Sequence, residues 1–359
     1  MTHLDALLAD AVDQGVFPQA RAEVLFQGRR VYSGGNAPEA AVFDVASLTK
    51  VVCTTALCLE LELFGPVRRW LPTAAVDCDT VDLLFHRSGL PAFLPYFEAE
   101  VNAHPELFDA ACPPSVREAV RRSVLARALA TPPEAAPGAR AVYSDVGFIL
   151  LGAALEAASG RPLDALFTER LAAPLGLTAG FRRLSRGLPL PEALVDTRGT
   201  RPREPAPGQE GLWHVTPRPG RPGEVDDDNA WCLDGVSGHA GLFATARDVA
   251  TFGQAVLDER LRPPIPWRCD AATPGSTRAL GFDTPGLDAP SCGRRFGAQG
   301  PRGAIGHLGF TGTSLWIDLD RQLVVALLTN RVAFGRANLK LRDFRPRFHD
   351  AVLDGLRLP

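Results

Sequence analysis

The sequence predicts an α+β fold, in which one antiparallel sheet built from both chain ends is flanked by helices and a mainly helical lobe is inserted midway. Three observations predict it. Strand-like runs pair as hairpins near each terminus, and apolar residues recur at helical spacing through the middle. The chain's 359 residues, 46% hydrophobic and 22% charged, are also ample for one large globular core with an inserted lobe.

Leu4, Leu7, Leu8 and Val12 recur at helical spacing and Gly15 stops the pattern, which predicts a short opening helix. A hairpin follows. Ala22 to Phe26 and Val31 to Ser33 flank the turn residues Gln27 to Arg30, and Gly34 and Gly35 release the chain. In the middle, helices are expected from the capping-box candidates Ser115/Glu118 and Thr245/Asp248, and through Phe148, Leu151 and Leu155 to Gly160. Near the other end Ser314 to Ile317 and Leu323 to Leu328 flank Asp318 to Arg321, with a further strand around Ile305 to Phe310. The first and last strands are then neighbours, residues 1–75 and 235–359 form the sheet lobe, and 76–234 form the helical lobe, with a cleft between them. Leu184 to Glu224 and Arg260 to Gly303, dense in Pro, Gly and Arg, read as long irregular loops.

Composition excludes several classes. With 38 basic and 41 acidic side chains the formal charge is −3, so nucleic acid is not an expected partner. The longest strongly apolar run, Val146 to Leu155, lies between Asp145 and Glu156 and falls well short of the ~18 residues a span needs, so no membrane partner is expected. The opening MTHLDALLAD has no basic segment ahead of an apolar one, which predicts cytoplasmic residence. Seven scattered cysteines with no CxxC pair predict free thiols. No HExxH, P-loop, GxGxxG or GxSxG occurs around a candidate residue, so neither metal nor cofactor is expected. Only Lys50 and Lys340 are lysines. A buried lysine can lose its proton where an arginine cannot, so a retained lysine can mark a place that needs a neutral amine.

Lys50 stands in Phe43-Asp-Val-Ala-Ser-Leu-Thr-Lys50, ahead of the apolar helix pattern of Val51, Val52, Ala56 and Leu59. Ser47 and Lys50, three residues apart, share a face of the first turn, where free N–H groups favour a developing oxyanion. That is the layout of an activated serine, although an S-x-x-K can also arise by chance. Tyr143-Ser144-Asp145 opens a helix after Pro137-Gly138; its hydroxyl is either packed locally or directed into a cleft, where a neighbouring ammonium would ease its ionisation. Gly306-His307-Leu308-Gly309-Phe310 precedes the last hairpin, and His307 is either a proton donor, an anion ligand or a structural histidine.

In order, Ser47-Leu-Thr-Lys50, Tyr143-Ser-Asp145 and His307-Leu-Gly309 resemble the three motifs of the penicillin-recognising serine hydrolases, a family that includes class C β-lactamases, DD-peptidases, D-aminopeptidases and esterases. Leu83-Leu-Phe-His86-Arg-Ser-Gly-Leu-Pro91, Pro174-Leu-Gly-Leu177 and Gly238-His-Ala-Gly-Leu-Phe-Ala-Thr-Ala-Arg-Asp248 resemble further stretches of it, so the likeness spans nearly the whole chain. It implies a β-lactamase/DD-peptidase-like fold and a serine hydrolase acting through a covalent acyl-enzyme on an ester, amide, lactam or peptidoglycan fragment. Ser47 would be the nucleophile, Lys50 its activating amine and Tyr143 the proton shuttle, with the N–H groups of Ser47 and Phe310 as the oxyanion hole. Two departures tilt the expectation toward an esterase or D-peptidase-like activity over an efficient β-lactamase or DD-carboxypeptidase. Asp145 stands where the family usually has Asn, and His307 stands where β-lactamases have Lys, so a substrate carboxylate would meet a weaker, pH-dependent cation. A non-catalytic ligand-binding member is the rival of another class, disfavoured because all three reactive side chains are retained. Val225-Asp226-Asp227-Asp228-Asn229-Ala230 resembles a segment of a muropeptide-linked branch with His at the position of Asp226; by composition alone, three aspartates in a row read as a solvated loop.

Overall fold

A computed structural model describes residues 1–197, 221–286, 290–297 and 302–358. Its strands are β1 (Ala20–Phe26), β2 (Arg29–Gly34), β3 (Phe43–Asp44), β4 (Gly180–Phe181), β5 (Leu242–Ala244), β6 (Arg278–Ala279), β7 (Phe282–Asp283), β8 (Ala304–Leu308), β9 (Ser314–Asp318) and β10 (Leu323–Thr329). Seven of them form one antiparallel sheet in the order β2-β1-β10-β9-β8-β7-β6. Its centre is the pairing of the first and last hairpins, with Ala20 opposite Thr329 and Phe26 opposite Leu323. A smaller sheet, β3-β5-β4, lies beside the residues that precede Ser47.

The large sheet is covered on both faces, which is why β10 reads as the unbroken apolar run LVVALLT. Successive side chains of a strand alternate between faces. Leu323, Val325 and Leu327 therefore join Ala22, Val24 and Trp316 in packing on the helices Thr2–Asp13 and Leu341–Gly355. Val324, Ala326 and Leu328 face the other way with Ile305, Leu315 and Ile317, against the helix Ala246–Leu257 and the rest of the molecule. His307 is two residues from Ile305, so the same alternation turns it to this second face.

The helices of the middle region include Pro114–Ala130 and Asp145–Ser159. The expected Thr245/Asp248 capping box is present. The one expected at Ser115 is not: the helix begins at Pro114, with Ser115 inside its first turn, because a proline at the first helical position supplies the right φ and lacks only an N–H that needs no partner there. The helix Asp145–Ser159 is buried almost all round, with Gly160 in the left-handed region ending it. No single helix among the described residues is long and apolar enough to cross a membrane.

Two regions differ from expectation. Arg260 to Gly303 holds β6 and β7, which extend the large sheet and carry Arg278 to the cleft. In addition, β4 falls in the segment expected to be helical yet pairs with β5, so the small sheet draws on residues from both sides of that boundary. Two-residue strands show no periodicity for a sequence reading to detect. Residues 198–220, the greater part of the other expected loop, lie outside the described residues.

Candidate active site

Ser47 sits in a 3₁₀ turn, Ala46–Leu48, and Lys50 opens a π-helical turn to Thr55 before the α-helix Ala56–Glu60. The expected first α-helical turn is thus wound differently. Ala46 lies at φ +48°, a conformation that costs an L-residue about 1–2 kcal/mol, and neighbouring groups hold it there. The Ala46 N–H donates to Asp44 Oδ1 at 2.8 Å, and Thr49 Oγ1 donates to the Ala46 carbonyl at 2.6 Å. From the turn after β8, Thr311 and Thr313 hydroxyls donate to the carbonyls of Asp44 (2.8 Å) and Val45 (3.0 Å). This clamp explains Gly309: a Cβ there would collide with Thr313 Oγ1 and the Val45 carbonyl oxygen.

The Lys50 side chain is completely buried. Its Nζ donates to Ser47 Oγ at 2.9 Å and to the His239 carbonyl at 3.0 Å, and it pairs with Asp145 Oδ1 at 2.7 Å. The rings of Tyr143 and Phe148 lie 4.9 and 5.7 Å away. Burial pulls this amine down, but the charge of Asp145 and the Tyr143 hydroxyl more than offset it, so the net shift is upward. The expectation of a neutral resting amine is therefore corrected, with the Asp145 carboxylate the largest upward influence and Tyr143 adding to it.

Tyr143 stands between Lys50 and a row of rings. The His86 ring lies against it at 4.6 Å, tilted by 36°, His307 lies at 5.8 Å, and the Arg278 guanidinium sits 5.1 Å from the ring centre. Its hydroxyl interacts with both Ser47 and Lys50. Burial raises its pKa despite Lys50, so easier ionisation, expected from the neighbouring ammonium, does not hold. His307 is also corrected. Its Nδ1 faces the Leu308 carbonyl at 2.9 Å and must carry the hydrogen, which leaves Nε2 a lone-pair acceptor, buried and without a partner among the described residues. Burial, then Lys50 and Arg278, hold its pKa well below the ordinary histidine value. At neutral pH it is an acceptor rather than a weak cation.

Four supporting groups escaped the sequence reading. His86 Nδ1 accepts the Ser144 N–H at 2.9 Å and so positions the Tyr143 segment, while Ser144 Oγ caps the following helix. Asp227 receives His239 Nε2 at 2.9 Å, and Ser237 meets Nδ1 at 2.7 Å, which fixes the loop whose carbonyl holds Lys50. Asp44 accepts the N–H groups of Ala46 and Asp226 and is pushed up to about 7, chiefly by burial. Arg278 arrives on β6. His86, Asp44, Asp227 and His239 lie in stretches that the sequence singles out, whereas Arg278 carries no signal.

Ser47, Tyr143, Asp145, His307, Gly309 and Phe310 all line one cleft of about 760 Å³. The Phe310 ring lies between the guanidinium groups of Arg331 and Arg336, at 4.8 and 4.7 Å, and Arg342 and Arg345 line the same end. Asp226 and Asp228 are only 4% exposed and Asp226 pairs with Arg336 at 3.1 Å, so this acidic run is a cleft wall and not a solvated loop. No group of three or more His, Cys, Asp or Glu able to hold a metal occurs among the described residues.

Fold and cleft together define a serine hydrolase. Residues 4–345 match the family model described as Beta-lactamase, and the chain belongs to that family. Its relatives include an N-acetylmuramyl-L-alanine amidase of Bacillus subtilis (strain 168), 29% identical over 316 residues, which are 81% of this chain and 68% of the relative. Among solved structures, the octameric penicillin-binding protein homologue from Pyrococcus abyssi superposes with a TM-score of 0.68 at 16% identity, covering 99% of this chain and 77% of that one. A class C β-lactamase mutant gives 0.66 at 14% identity, covering 97% and 96%.

Proposed function

We propose that the chain hydrolyses an amide or ester of a peptidoglycan fragment through an acyl-enzyme on Ser47. The observation that carries this reading is the placement of the Ser47 hydroxyl at the cleft with Lys50 Nζ 2.9 Å away and the Tyr143 hydroxyl beside both. Once Lys50 has released one proton to solvent, Ser47 Oγ attacks the substrate carbonyl while the hydroxyl proton passes to the Lys50 amine. The N–H groups of Ser47 and Phe310 receive the oxyanion. Tyr143 delivers a proton to the departing nitrogen or oxygen, and the same groups then activate the water that releases the acid.

The substrate class follows from charge. Arg331, Arg342 and Arg345 make one end of the cleft cationic, which suits the carboxylates of a muropeptide, and the relative named as an N-acetylmuramyl-L-alanine amidase supports such a substrate. Beside the nucleophile Lys50 is already paired with Asp145 and His307 is neutral, which leaves Arg278, itself 3.5 Å from Asp283, as the cation there, so the three arginines at the other end dominate the positive charge of the cleft. A muropeptide amide or D-aminoacyl ester should turn over faster than a chromogenic cephalosporin. Intact-mass spectrometry with a fluorophosphonate should add one adduct to the wild type and none to Ser47→Ala; equal labelling of both removes Ser47 from the reaction.

A further inference from the structure

We infer that Asp145 is a positioning residue that holds Lys50 as an ammonium in the free enzyme and thereby sets the lowest pH at which Lys50 takes the Ser47 proton. This rests on the roles proposed for Ser47, Lys50 and Tyr143. Four oxygens surround the Lys50 nitrogen: the His239 carbonyl at 3.0 Å, Asp145 Oδ1 at 2.7 Å, Ser47 Oγ at 2.9 Å and the Tyr143 hydroxyl, which also bonds Ser47. The carbonyl only accepts and takes one N–H in either protonation state, while the Asp145 carboxylate holds the nitrogen as an ion pair. The position facing Ser47 is the one that differs. An ammonium donates its third hydrogen to Oγ, whereas an amine presents a lone pair that receives the hydroxyl proton.

The same heavy-atom arrangement therefore serves a resting state and a reactive state, and the partner at position 145 selects between them. A carboxylate 2.7 Å from a buried nitrogen favours the ammonium; an amide in its place would not. The other groups around Lys50 do not substitute for it. The helix Asp145–Ser159 adds the Phe148 ring, the loop after Ser237 adds a carbonyl, and the segment ahead of the helix adds the neutral Tyr143. The His86 and His307 rings, both held neutral, and the Arg278 guanidinium stand around Tyr143 and offer no negative charge. Asp145 is 20% exposed and lines the cleft, so it is open to solvent before substrate arrives. Once Lys50 has released one proton to solvent, the balance is simple. The Oγ–C bond forms as the hydroxyl proton moves to the Lys50 lone pair, and the proton returns through Tyr143 to the leaving group as the scissile bond breaks.

The chain's two lysines make a direct test possible, because protein labelled with ¹⁵N-lysine gives two side-chain signals and Lys340→Arg assigns them. Lys50 should remain an ammonium up to pH ~10, the ordinary lysine range, in the wild type and in Asp145→Glu. In Asp145→Asn its midpoint should fall by about one unit or more. The acid limb of kcat/KM for an uncharged nitrophenyl ester, which reports the free enzyme's base, should move by the same amount, a factor of about 10 in rate at a pH on that limb. An unmoved Lys50 signal in the asparagine variant overturns the inference, as does a fallen midpoint with an unmoved limb. Failure of a fluorophosphonate to label wild-type Ser47 overturns the acyl-enzyme reading instead, and the lysine titration still reports whether Asp145 holds the ammonium.

Discussion

The two faces of the large sheet are built to opposite rules. Toward the helices Thr2–Asp13 and Leu341–Gly355 the contacts are aromatic and aliphatic: Phe17 meets Phe344 edge-on at 5.3 Å, and Phe348 and Val352 are completely buried. Toward the cleft the same sheet covers Lys50, Asp44 and His307, charged or polar groups that are nearly or fully shielded from water. Burying such groups is unfavourable unless each is paired, so the second face is a network of specific bonds where the first is a matter of shape and volume. The lesson is that this molecule separates its stability from its chemistry across a single layer about one strand thick. Damage to one face should leave the other's property largely intact.

The largest effect should come from the cleft face. Tyr143→Phe keeps the ring against His86 and Arg278 but removes the hydroxyl, so kcat should fall by roughly 10²–10⁴ with little change in melting temperature. Unchanged turnover with a lowered melting temperature would make Tyr143 a packing residue and erase the contrast. Next comes the apolar face. Phe348→Ala removes a fully buried ring and should cost about 3–5 kcal/mol in denaturant unfolding, while kcat of the folded fraction stays within about twofold. A matching loss of kcat would show that the faces are coupled through the sheet.

The smallest effect sharpens the comparison by sign. His349, buried on the terminal helix beside Phe296, is pushed down to about 4 by burial, so the unfolded chain binds its proton more readily. Its contribution is complete above pH ~6.5 and is lost as pH falls toward about 4, an amount of order 3 kcal/mol. Asp44, behind Ser47, has the opposite sign. Raised from 3.8 to about 7, it keeps its proton longer when folded, so its contribution is present below pH ~4 and is lost as pH rises toward about 7. The two contributions oppose each other between pH 4 and 7, so relative to the wild type His349→Leu should tilt the unfolding free energy downward with rising pH and Asp44→Asn should tilt it upward. The same slope in a variant as in the wild type would show that the group titrates alike in folded and unfolded chains.

Local pattern made a good part of the site legible. Ser47 and Lys50 announce themselves by spacing, Tyr143 by standing at a helix start, and His307 by its place in a glycine-flanked strand. The rest depended on residues far apart in the chain. Asp44 meets the Asp226 N–H across 182 positions, and Lys50 meets the His239 carbonyl across 189. Strands of two residues, such as β3, β6 and β7, carry no periodicity, so Arg278 had no element to announce it. The three aspartates misled for a related reason: composition reports average solvation, and only the cleft wall makes Asp226 a buried partner of Arg336.

By itself, then, the sequence determined the joined terminal hairpins, the helices between them and the identity of the reactive side chains, because alternation, helical spacing and motif order are properties of neighbours along the chain. The tertiary structure alone decided their charge. Lys50 as a retained ammonium, Tyr143 as a neutral phenol and His307 as a neutral acceptor each follow from burial and from partners brought in by other elements, since a proton's affinity depends on the surrounding dielectric and nearby charges in space. A sequence records which groups can titrate, and only the fold sets where they do.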